Sequence, residues 1–367
     1  NEIREDIVRL ERLNYLRSAG INPYPSQTED KISIADALTK PETTLIKIAG
    51  RLIAKREMGK ISFSHLKDES GKIQLAFSEK ELGKDSYKLF IKYFDLGDFI
   101  HVDGELFVTH KGELTVLVKN YTLLAKTLLP LPEKFHGLAD VEIRYRQKYL
   151  DLIANDEAIK IAKTRSMVVR EIRKYFDDQG FFEVETPILQ TLYGGASAKP
   201  FKTHHNALDI PLYLRIAPEL YLKRLIVGGF EKVYEIAKCF RNEGIDNNHN
   251  PEFTQVEFYW AYADYNDLMN LMEDLLPQVI QAAGLPLKFQ VQGKEVDFTP
   301  PYPRKTMREL IKQYAKIDIE EFPDQKSLYA KIKKLNIEGV DVKTGYGKLV
   351  DEIYKTYARP KIINPVF

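Results

Sequence analysis

The sequence predicts an α+β protein in which a five-stranded β-barrel precedes a larger domain of mixed strands and helices. Three observations support this prediction. Apolar residues recur with a period of two between Thr44 and Leu124, turn-forming residues divide that stretch into strands, and long helical patterns interleave with antiparallel strand candidates from residue 154 onward. Strands mixed with helices in this way are typical of the α+β class.

Composition limits the function classes open to the chain. Its 367 residues, 44% of them hydrophobic, suffice for two or three domains with a substantial core. Basic and acidic residues nearly balance, 54 against 53, so binding to nucleic acid would need a local basic face. The single cysteine, Cys239, excludes a disulfide framework within the chain and a cysteine-based zinc site. No apolar run reaches the ~18 residues of a membrane span. The polar first residues are unlike a signal peptide, so we expect a cytoplasmic protein without a membrane partner.

The first domain is predicted to follow a helix and a linker that together occupy residues 1–43. The helix, at residues 1–20, is amphipathic, and its apolar stripe consists of Ile3, Ile7, Leu10 and Leu13. Residues 44–130 then form the barrel, with a helix at about 80–94 between the third and fourth strands. Five strands with a helix after the third follow the order of an OB-fold. The strand candidates are 45–54, 61–66, 72–78, 99–108 and 113–119.

The second domain, residues 154–367, is predicted to lie beyond a charged hinge at 131–153. It opens with a long helix at about 157–178, which Gly180 ends. The apolar segment Ile362–Phe367 is predicted to lie in the middle of a strand, which suggests that the domain is incomplete at its C-terminus. The other elements are strands at 181–185, 232–242 and 252–262 and helices at about 218–228, 264–283 and 305–315.

Polar side chains concentrate on one side of the last two strands. Because side chains alternate across a strand, Arg241 shares a face with Glu243. The same rule groups Phe253, Gln255, Glu257 and Tyr259 on the following strand. Two interpretations remain open from the pattern alone. The hairpin is either an antiparallel pair with one solvated face or the floor of a ligand site. In the second case Arg241 would hold a phosphate bidentately, Phe253 would stack on a base and Glu257 would receive a cation.

A longer run around these strands resembles motif 2 of the class II aminoacyl-tRNA synthetases. The run is Phe240-Arg241-Asn242-Glu243, a polar loop, Asn250-Pro251-Glu252-Phe253-Thr254 and then Glu257. The resemblance implies that Arg241 contacts the α-phosphate of ATP and that Phe253 stacks on adenine. It also implies that Glu243, His249 and Asn250 lie around the nucleotide, with Arg241 and Glu243 as the catalytic pair.

The segment Gly180-Phe181-Phe182-Glu183-Val184-Glu185-Thr186-Pro187 resembles motif 1 of the same family. On its own it would be an ordinary helix–turn–strand. Beside motif 2, the resemblance implies a homodimer formed through this region.

The amino-acid specificity is predicted from three further segments that resemble the lysine branch of the family. They are Gly194-Gly195-Ala196, the loop Phe201–Asn206 and Leu214–Arg224. The resemblance implies that Gly195, Glu219, Glu257 and Tyr259 bind lysine. The chemistry agrees, since a buried ammonium group needs carboxylates and hydroxyls. Which carboxylate takes the α-amino group and which the ε-ammonium group stays open. His204 and His205 are not predicted to bind metal, because adjacent residues on an extended chain point apart.

The OB-fold is expected to bind the anticodon of tRNA(Lys). Arg51, Lys55, Arg56 and Lys60 form a local basic cluster. Single-stranded bases are read by stacking and by hydrogen bonds to their edges. The resemblance implies stacking on Phe63 and base-edge contacts from Gln74 and Glu113. Arg51 and Arg56 of the basic cluster are also predicted to bind the anticodon.

The resemblance also implies ATP and Mg²⁺ as reaction partners. The family's motif 3 and its acidic metal ligands are expected beyond Phe367, so we expect no metal ligands within this chain and little activity from these 367 residues alone.

Three alternatives remain. An aspartyl- or asparaginyl-type synthetase is disfavoured by the acidic Glu219 and Glu257, and a lysyl ligase acting on a translation factor is disfavoured by the OB-fold. A non-catalytic tRNA-binding paralogue is the third.

Overall fold

The computed structural model describes residues 4–131, 138, 140–246, 248–335, 337 and 339–367. Ile3 of the predicted first helix, residues 132–137 and 139 of the predicted hinge, and Asn247 of the loop lie outside these residues. The chain divides into two compact units, Asn1–Ala158 and Ile159–Phe367. None of the helices in the described ranges combines the length and apolar character needed to cross a membrane.

The first unit is built around a closed five-stranded barrel with the strand order β1-β2-β3-β5-β4. Every pairing is antiparallel except that of β3 with β5. This order, with helices between the third and fourth strands, confirms the predicted OB-fold. Its elements are α1 (Glu5–Ser18), α2 (Ile34–Leu38), β1 (Leu45–Met58), β2 (Ile61–Lys67), β3 (Lys72–Ser78), α3 (Glu79–Leu82), α4 (Lys84–Tyr93), β4 (Phe99–Val108), β5 (Leu114–Ala125), α5 (Val141–Arg146) and α6 (Lys148–Ala154).

Alternation along the strands separates the barrel core from its outer face. On β2, Ser62, Ser64 and Leu66 are buried, whereas the residues between them are only partly buried. The predicted helix at 80–94 is in fact two helices, because Gly83 adopts a φ of 77° between α3 and α4. Such a left-handed conformation ends a helix at little cost only at glycine.

The predicted apolar stripe of α1 is confirmed at Leu13 and wrong at Ile7 and Leu10. Ile7 and Leu10 are each 48% exposed, and the buried residues are Arg9, Leu13 and Leu16. The difference arises because the Arg9 guanidinium is buried with its own partners, the carbonyl of Leu96 at 2.9 Å and the Glu5 carboxylate at 2.6 Å. Hydrophobic periodicity gives no sign of a buried arginine. The prediction therefore placed the buried stripe on a neighbouring face of the helix.

The second unit contains two three-stranded sheets, in the orders β11-β10-β6 and β7-β9-β8, and the two-stranded β12-β13. The long helix α7 (Asp156–Asp178) leads into it. Its other elements are β6 (Phe182–Glu183), β7 (Leu189–Gln190), β8 (Lys202–His205), β9 (Ile210–Leu214), α8 (Glu219–Val227), β10 (Lys232–Phe240), β11 (Glu252–Trp260), α9 (Tyr265–Ala282), β12 (Lys288–Val291), β13 (Lys294–Asp297), α10 (Met307–Ala315), α11 (Gln325–Ile332) and α12 (Tyr346–Ile353).

One face of the β10–β11 hairpin is covered by helices α7 and α9. Tyr234 and Phe258 pack there against Phe176 of α7, with ring centroids 4.9 Å apart in both pairs. Leu271 and Leu275 of α9 belong to the same cluster. This arrangement confirms that the hairpin has one apolar and one polar face, and it leaves the polar face available for chemistry.

The segment 362–367 is not a strand, contrary to the prediction. Phe367 nevertheless has both of its backbone groups paired. Its N–H donates to the carbonyl of Pro303 at 3.0 Å, and its carbonyl accepts from the N–H of Lys305 at 2.8 Å. The apolar composition therefore reflects packing beside residues 303–305 instead of a regular strand.

We predict that Gly104→Ala destabilises the barrel by about 1–3 kcal/mol, the usual range for overpacking. A Cβ at residue 104 would lie 2.4 Å from Cγ1 of Val116 and 2.5 Å from the carbonyl oxygen of Leu117. Urea unfolding followed by circular dichroism measures the change. Gly71→Ala is the matched control, because its nearest neighbour would be Ile34 Cγ2 at 3.5 Å. Equal stability of the two variants would contradict the prediction.

Candidate active site and nucleic-acid interface

The polar face of the hairpin is assembled by the register of its two strands. Glu235 lies opposite Glu257, and Cys239 lies opposite Phe253. Directly opposed residues share a face, so Phe253, Gln255, Glu257 and Tyr259 lie together as the alternation predicted.

A buried ion pair that the sequence reasoning missed holds this face in place. Arg215 Nη1 lies 2.6 Å from Glu235 Oε1, and both side chains are 4% exposed. Arg215 also donates to the carbonyls of Lys238 at 2.7 Å and Thr186 at 3.0 Å. The Thr186 hydroxyl donates to the other oxygen of Glu235 at 2.6 Å. The network therefore joins β10, the segment after β6 and the end of β9.

Glu219 and Gly195 lie close to each other beside this face. Gly195 has a φ of 85°, and a Cβ there would lie 2.6 Å from Cβ of Glu219. Any larger residue would displace Glu219, which explains the need for glycine. Lys223, one turn along α8, donates to Glu219 at 2.6 Å, and its ammonium nitrogen lies 5.7 Å from the centre of the Tyr259 ring.

Glu257 is a half-buried carboxylate whose hydrogen-bond donors among the described residues are neutral. Its oxygens accept from the Tyr259 hydroxyl at 2.8 Å and from the Gln255 amide at 2.9 Å. Burial raises the pKa of Glu257 above its ordinary value, and the negative charge of Glu219 adds to the effect, which Lys223 partly offsets. Burial, followed by the hydrogen bond to Glu257, also raises the pKa of Tyr259. In the described part of the chain no cation forms a salt bridge with Glu257, so the site can accept a positive charge.

Arg241 follows β10 and lies against the ring of Phe253, with 5.0 Å between the guanidinium carbon and the ring centroid. Its Nε is buried and has no hydrogen-bond partner among the described residues. A stacked guanidinium with an unused buried donor is suited to a planar or anionic ligand. Glu243 accepts from the backbone N–H of Lys199 at 3.2 Å, which ties the strand extension to the segment before β8.

The loop residues have local partners. His249 Nδ1 lies 2.8 Å from the Asp246 carboxylate, and both side chains are more than half exposed. The backbone N–H of Asn248 and this histidine together lower the pKa of Asp246. Asn250 is exposed. The structure thus brings Arg241 and Phe253 together, whereas His249 and Asn250 lie on an exposed loop.

In the first unit, three predicted base-reading residues lie on the outer barrel face. Phe63 lies opposite Arg56 on β1 and Ala76 on β3. Gln74 donates to the Glu113 carboxylate at 2.8 Å and accepts from the hydroxyl of Thr115 at 2.8 Å. Sequence reasoning missed His65, whose Nε2 lies 3.1 Å from Glu113. Its position directly opposite Gln74 would have been the signal.

Only part of the predicted basic cluster is exposed and able to contact a ligand. Arg51 lies over the ring of Phe99 at 4.2 Å and donates to the carbonyl of Gly97 at 3.0 Å. Lys55 donates to the carbonyls of Phe90 and Phe94 around the end of α4, at 3.3 and 3.1 Å. Burial lowers the pKa of both cations. Arg56, near the end of β1, and Lys60, in the turn before β2, remain exposed.

One group of side chains in the described residues has the spacing of a metal site, namely Glu29, His101 and Asp103. His101 already contacts Thr28 Oγ1 and Asp103 Oδ1, each at 3.0 Å, through its two ring nitrogens. Glu29 forms an ion pair with Lys47. These contacts explain the group as part of the barrel structure.

Both units match known protein families. Residues 46–124 match a family described as an OB-fold nucleic acid binding domain. Residues 140–352 match the class II tRNA synthetases (D, K and N).

Curated relatives match almost the whole chain. The lysine–tRNA ligase of Carboxydothermus hydrogenoformans is 48% identical over 363 residues, which covers 98% of this chain and 74% of that protein. The lysine–tRNA ligase of Syntrophomonas wolfei is 48% identical over 365 residues, with 98% and 73% covered. That of Thermotoga maritima is 47% identical over 369 residues, with 98% and 72% covered.

We predict that Glu257→Gln leaves the thermal midpoint at pH 7 unchanged or raises it. The folded-state pKa of Glu257 is raised, so the native state favours its protonated form, and that preference stabilises the fold below the unfolded pKa of about 4.3 and is lost as pH rises. The advantage of the variant should therefore grow from pH 4 towards neutrality.

Differential scanning fluorimetry between pH 4 and 7.5 measures this dependence. Glu252→Gln is the control, because Glu252 is an exposed carboxylate on the opposite face of the same strand. A larger loss of stability for Glu257→Gln at neutral pH than at pH 4 would show that the sign is wrong.

Proposed function

The chain belongs to the class II tRNA synthetases and, within them, to the lysine–tRNA ligases, and on this premise we propose how its own residues bind the substrates. The reaction joins lysine to the α-phosphate of ATP, with release of pyrophosphate, and then transfers the lysyl group to the 3′ end of tRNA. Lysine, ATP and tRNA(Lys) are accordingly the proposed ligands of this chain.

We assign the amino-acid pocket to Gly195, Glu219, Glu257 and Tyr259. The observation that carries this assignment is the state of Glu257, a half-buried carboxylate with two neutral donors and a raised pKa. Such a group is stabilised by a cation that brings its own hydrogen-bond donors, and an ammonium group has three. An aspartate or asparagine side chain would bring a carboxylate or a carbonyl oxygen beside Glu219 and Glu257, which repel it.

We assign ATP to Arg241, Phe253 and the loop beyond them. Adenine would stack on the Phe253 ring, whose neighbour Arg241 would meet the α-phosphate. Charge develops on the phosphate oxygens during the attack of the lysine carboxylate, and a fixed guanidinium stabilises it without reorganisation. Glu243, His249 and Asn250 are proposed to contact the nucleotide from the same side. Because His249 and Asn250 are exposed, their role would follow nucleotide binding.

Magnesium would accompany ATP and neutralise part of the triphosphate charge.

We propose that the outer barrel face binds the anticodon through Arg56, Phe63, Gln74 and Glu113. Half-buried Phe63 offers a ring for stacking, and Gln74 and Glu113 are hydrogen-bonded to each other at 2.8 Å. Arg51 is left out of this set because its guanidinium is held by Phe99 and Gly97.

We also propose a homodimer through the segment around β6. Phe182 is 58% exposed and its ring lies 5.4 Å from that of Phe230, which is 42% exposed. Val227, at 89% exposure, lies three residues before Phe230. Exposed apolar groups of this kind next to a two-residue edge strand are suited to a symmetric partner.

We predict that Glu219→Gln and Glu257→Gln each weaken lysine binding by at least about tenfold, because an ammonium group would lose a charged partner. Isothermal titration calorimetry with lysine, norleucine and aspartate measures the affinity. Glu252→Gln is the control, since it removes an exposed charge from the same strand.

Binding of norleucine or aspartate in preference to lysine would contradict the assigned pocket. Lysine binding that survives in both variants would contradict the roles of the two carboxylates while leaving the family reaction intact.

We predict that Phe182→Asp converts the dimer into a monomer. A symmetric interface would bury two carboxylates, one from each protomer, and each would lose its contact with water. Size-exclusion chromatography with light scattering measures the mass. Val342→Asp, at a residue that is 65% exposed elsewhere in the second unit, is the control. A monomeric wild-type protein would refute the dimer, and a dimeric Phe182→Asp variant would refute this interface.

A further inference from the structure

Three side chains on the outer barrel face and the buried Thr115 form one continuous hydrogen-bonded chain. His65 on β2 lies directly opposite Gln74 on β3, and Gln74 pairs across the parallel contact with Thr115 on β5. Glu113 lies at the turn just before β5. Its backbone is fixed because its N–H donates to Thr109 Oγ1 at 3.2 Å and its carbonyl accepts from the N–H of Thr109 at 3.0 Å.

The hydrogen bonds of this chain fix the direction of each group. Thr115 Oγ1 donates to Gln74 Oε1 at 2.8 Å, so the amide oxygen is committed to the buried side. Gln74 Nε2 donates to Glu113 Oε2 at 2.8 Å. The other carboxylate oxygen lies 3.1 Å from His65 Nε2, and because a carboxylate has no hydrogen to give, the histidine is the donor.

We infer that His65 is a positioning residue for anticodon reading, which acts by holding Glu113 so that Gln74 and Glu113 present a fixed donor and acceptor to one base. This inference rests on the proposed RNA-binding role of the barrel. With both carboxylate oxygens held, the second amide hydrogen of Gln74 and the remaining lone pairs of Glu113 are directed to the base edge. Without a donor at residue 65, the Glu113 side chain, at 49% exposure, keeps only the hydrogen bond from Gln74 and can turn about it towards solvent.

His65 does not need to contact the base itself for this role. Its side chain is 31% exposed, and its Nε2 is already committed to Glu113. A purely structural role would make the barrel less stable and would weaken binding to every RNA equally. A positioning role weakens the discrimination between bases while non-cognate binding, which depends on phosphate contacts, stays the same.

The test compares His65→Leu, which removes the donor, with His65→Gln, whose amide nitrogen can reach the same place. Fluorescence anisotropy measures the Kd of each protein for a hairpin RNA that carries the lysine anticodon and for three hairpins with one anticodon base changed. We expect His65→Leu to lose about tenfold in discrimination at one anticodon position, the size of one hydrogen bond. Binding to the changed hairpins should vary less than about twofold, and His65→Gln should retain the wild-type profile.

A double-mutant cycle tests whether His65 acts through Glu113. In the Glu113→Gln background, adding His65→Leu should cause no further loss of discrimination, since the group that His65 positions has already been altered. The control is His204→Leu, which removes a similar exposed histidine–carboxylate pair, with Asp209 at 3.1 Å, in the other unit. If His65→Leu lowers the melting temperature, His65→Asn, which is too short to reach Glu113, takes its place.

Two outcomes separate the inference from the proposal on which it rests. If the wild-type protein does not discriminate between the hairpins, the proposed anticodon role of the barrel fails. If the wild type discriminates and His65→Leu discriminates equally well, or if the losses from His65→Leu and Glu113→Gln add, the positioning role of His65 is overturned.

Discussion

The architecture of the second unit depends on one buried ion pair, Arg215 with Glu235. Both side chains are 4% exposed, and such charges persist only when nearly every donor and acceptor is satisfied. Arg215 meets this condition with contacts to Glu235, Lys238 and Thr186. Lys238 lies on β10 and Thr186 lies in the segment after β6. The ion pair therefore fixes β10 relative to that segment. Replacing one partner would leave an uncompensated charge beneath the substrate groups.

Beside these strands, carboxylates lie close enough to repel one another, an arrangement that a cationic ligand would stabilise. Glu219 has Lys223 as a partner, but Glu257 has only neutral donors and the repulsion of Glu219 and Glu235. Local conflicts of this kind concentrate at functional sites, where a bound group of opposite charge resolves them. The charge beside Phe253 is positive, because Arg241 lies there. Its buried Nε has no hydrogen-bond partner among the described residues. The acidic and basic ends of the site thus match the ammonium of an amino acid and the phosphate of a nucleotide.

The barrel differs from this site, because part of its predicted basic cluster is held by contacts within the barrel itself. Arg51 and Lys55 are used to hold Gly97 and the end of α4, so basic residues counted in the sequence overstate the positive charge offered to RNA. The surface also carries the half-buried Phe63 ring, which we propose for base stacking, and the hydrogen-bonded Gln74 and Glu113, which we propose for base edges. This division suits single-stranded RNA, whose bases are exposed, better than a duplex, whose phosphates dominate.

The sequence alone determined the class of fold, the order of the barrel strands and the two faces of the β10–β11 hairpin, because hydrophobic periodicity and turn residues are local signals. Its motifs also indicated the family to which the chain belongs. Only the tertiary structure decided the burial of Arg9 on α1, the inward use of Lys55, the pairing of Arg215 with Glu235 and the contact of His65 with Glu113. Each of these is a polar side chain whose partner is distant along the chain, and a single sequence carries no local signal for such a pairing. The physical reason is that a buried or partly buried polar group is placed by its partner and not by its own periodicity.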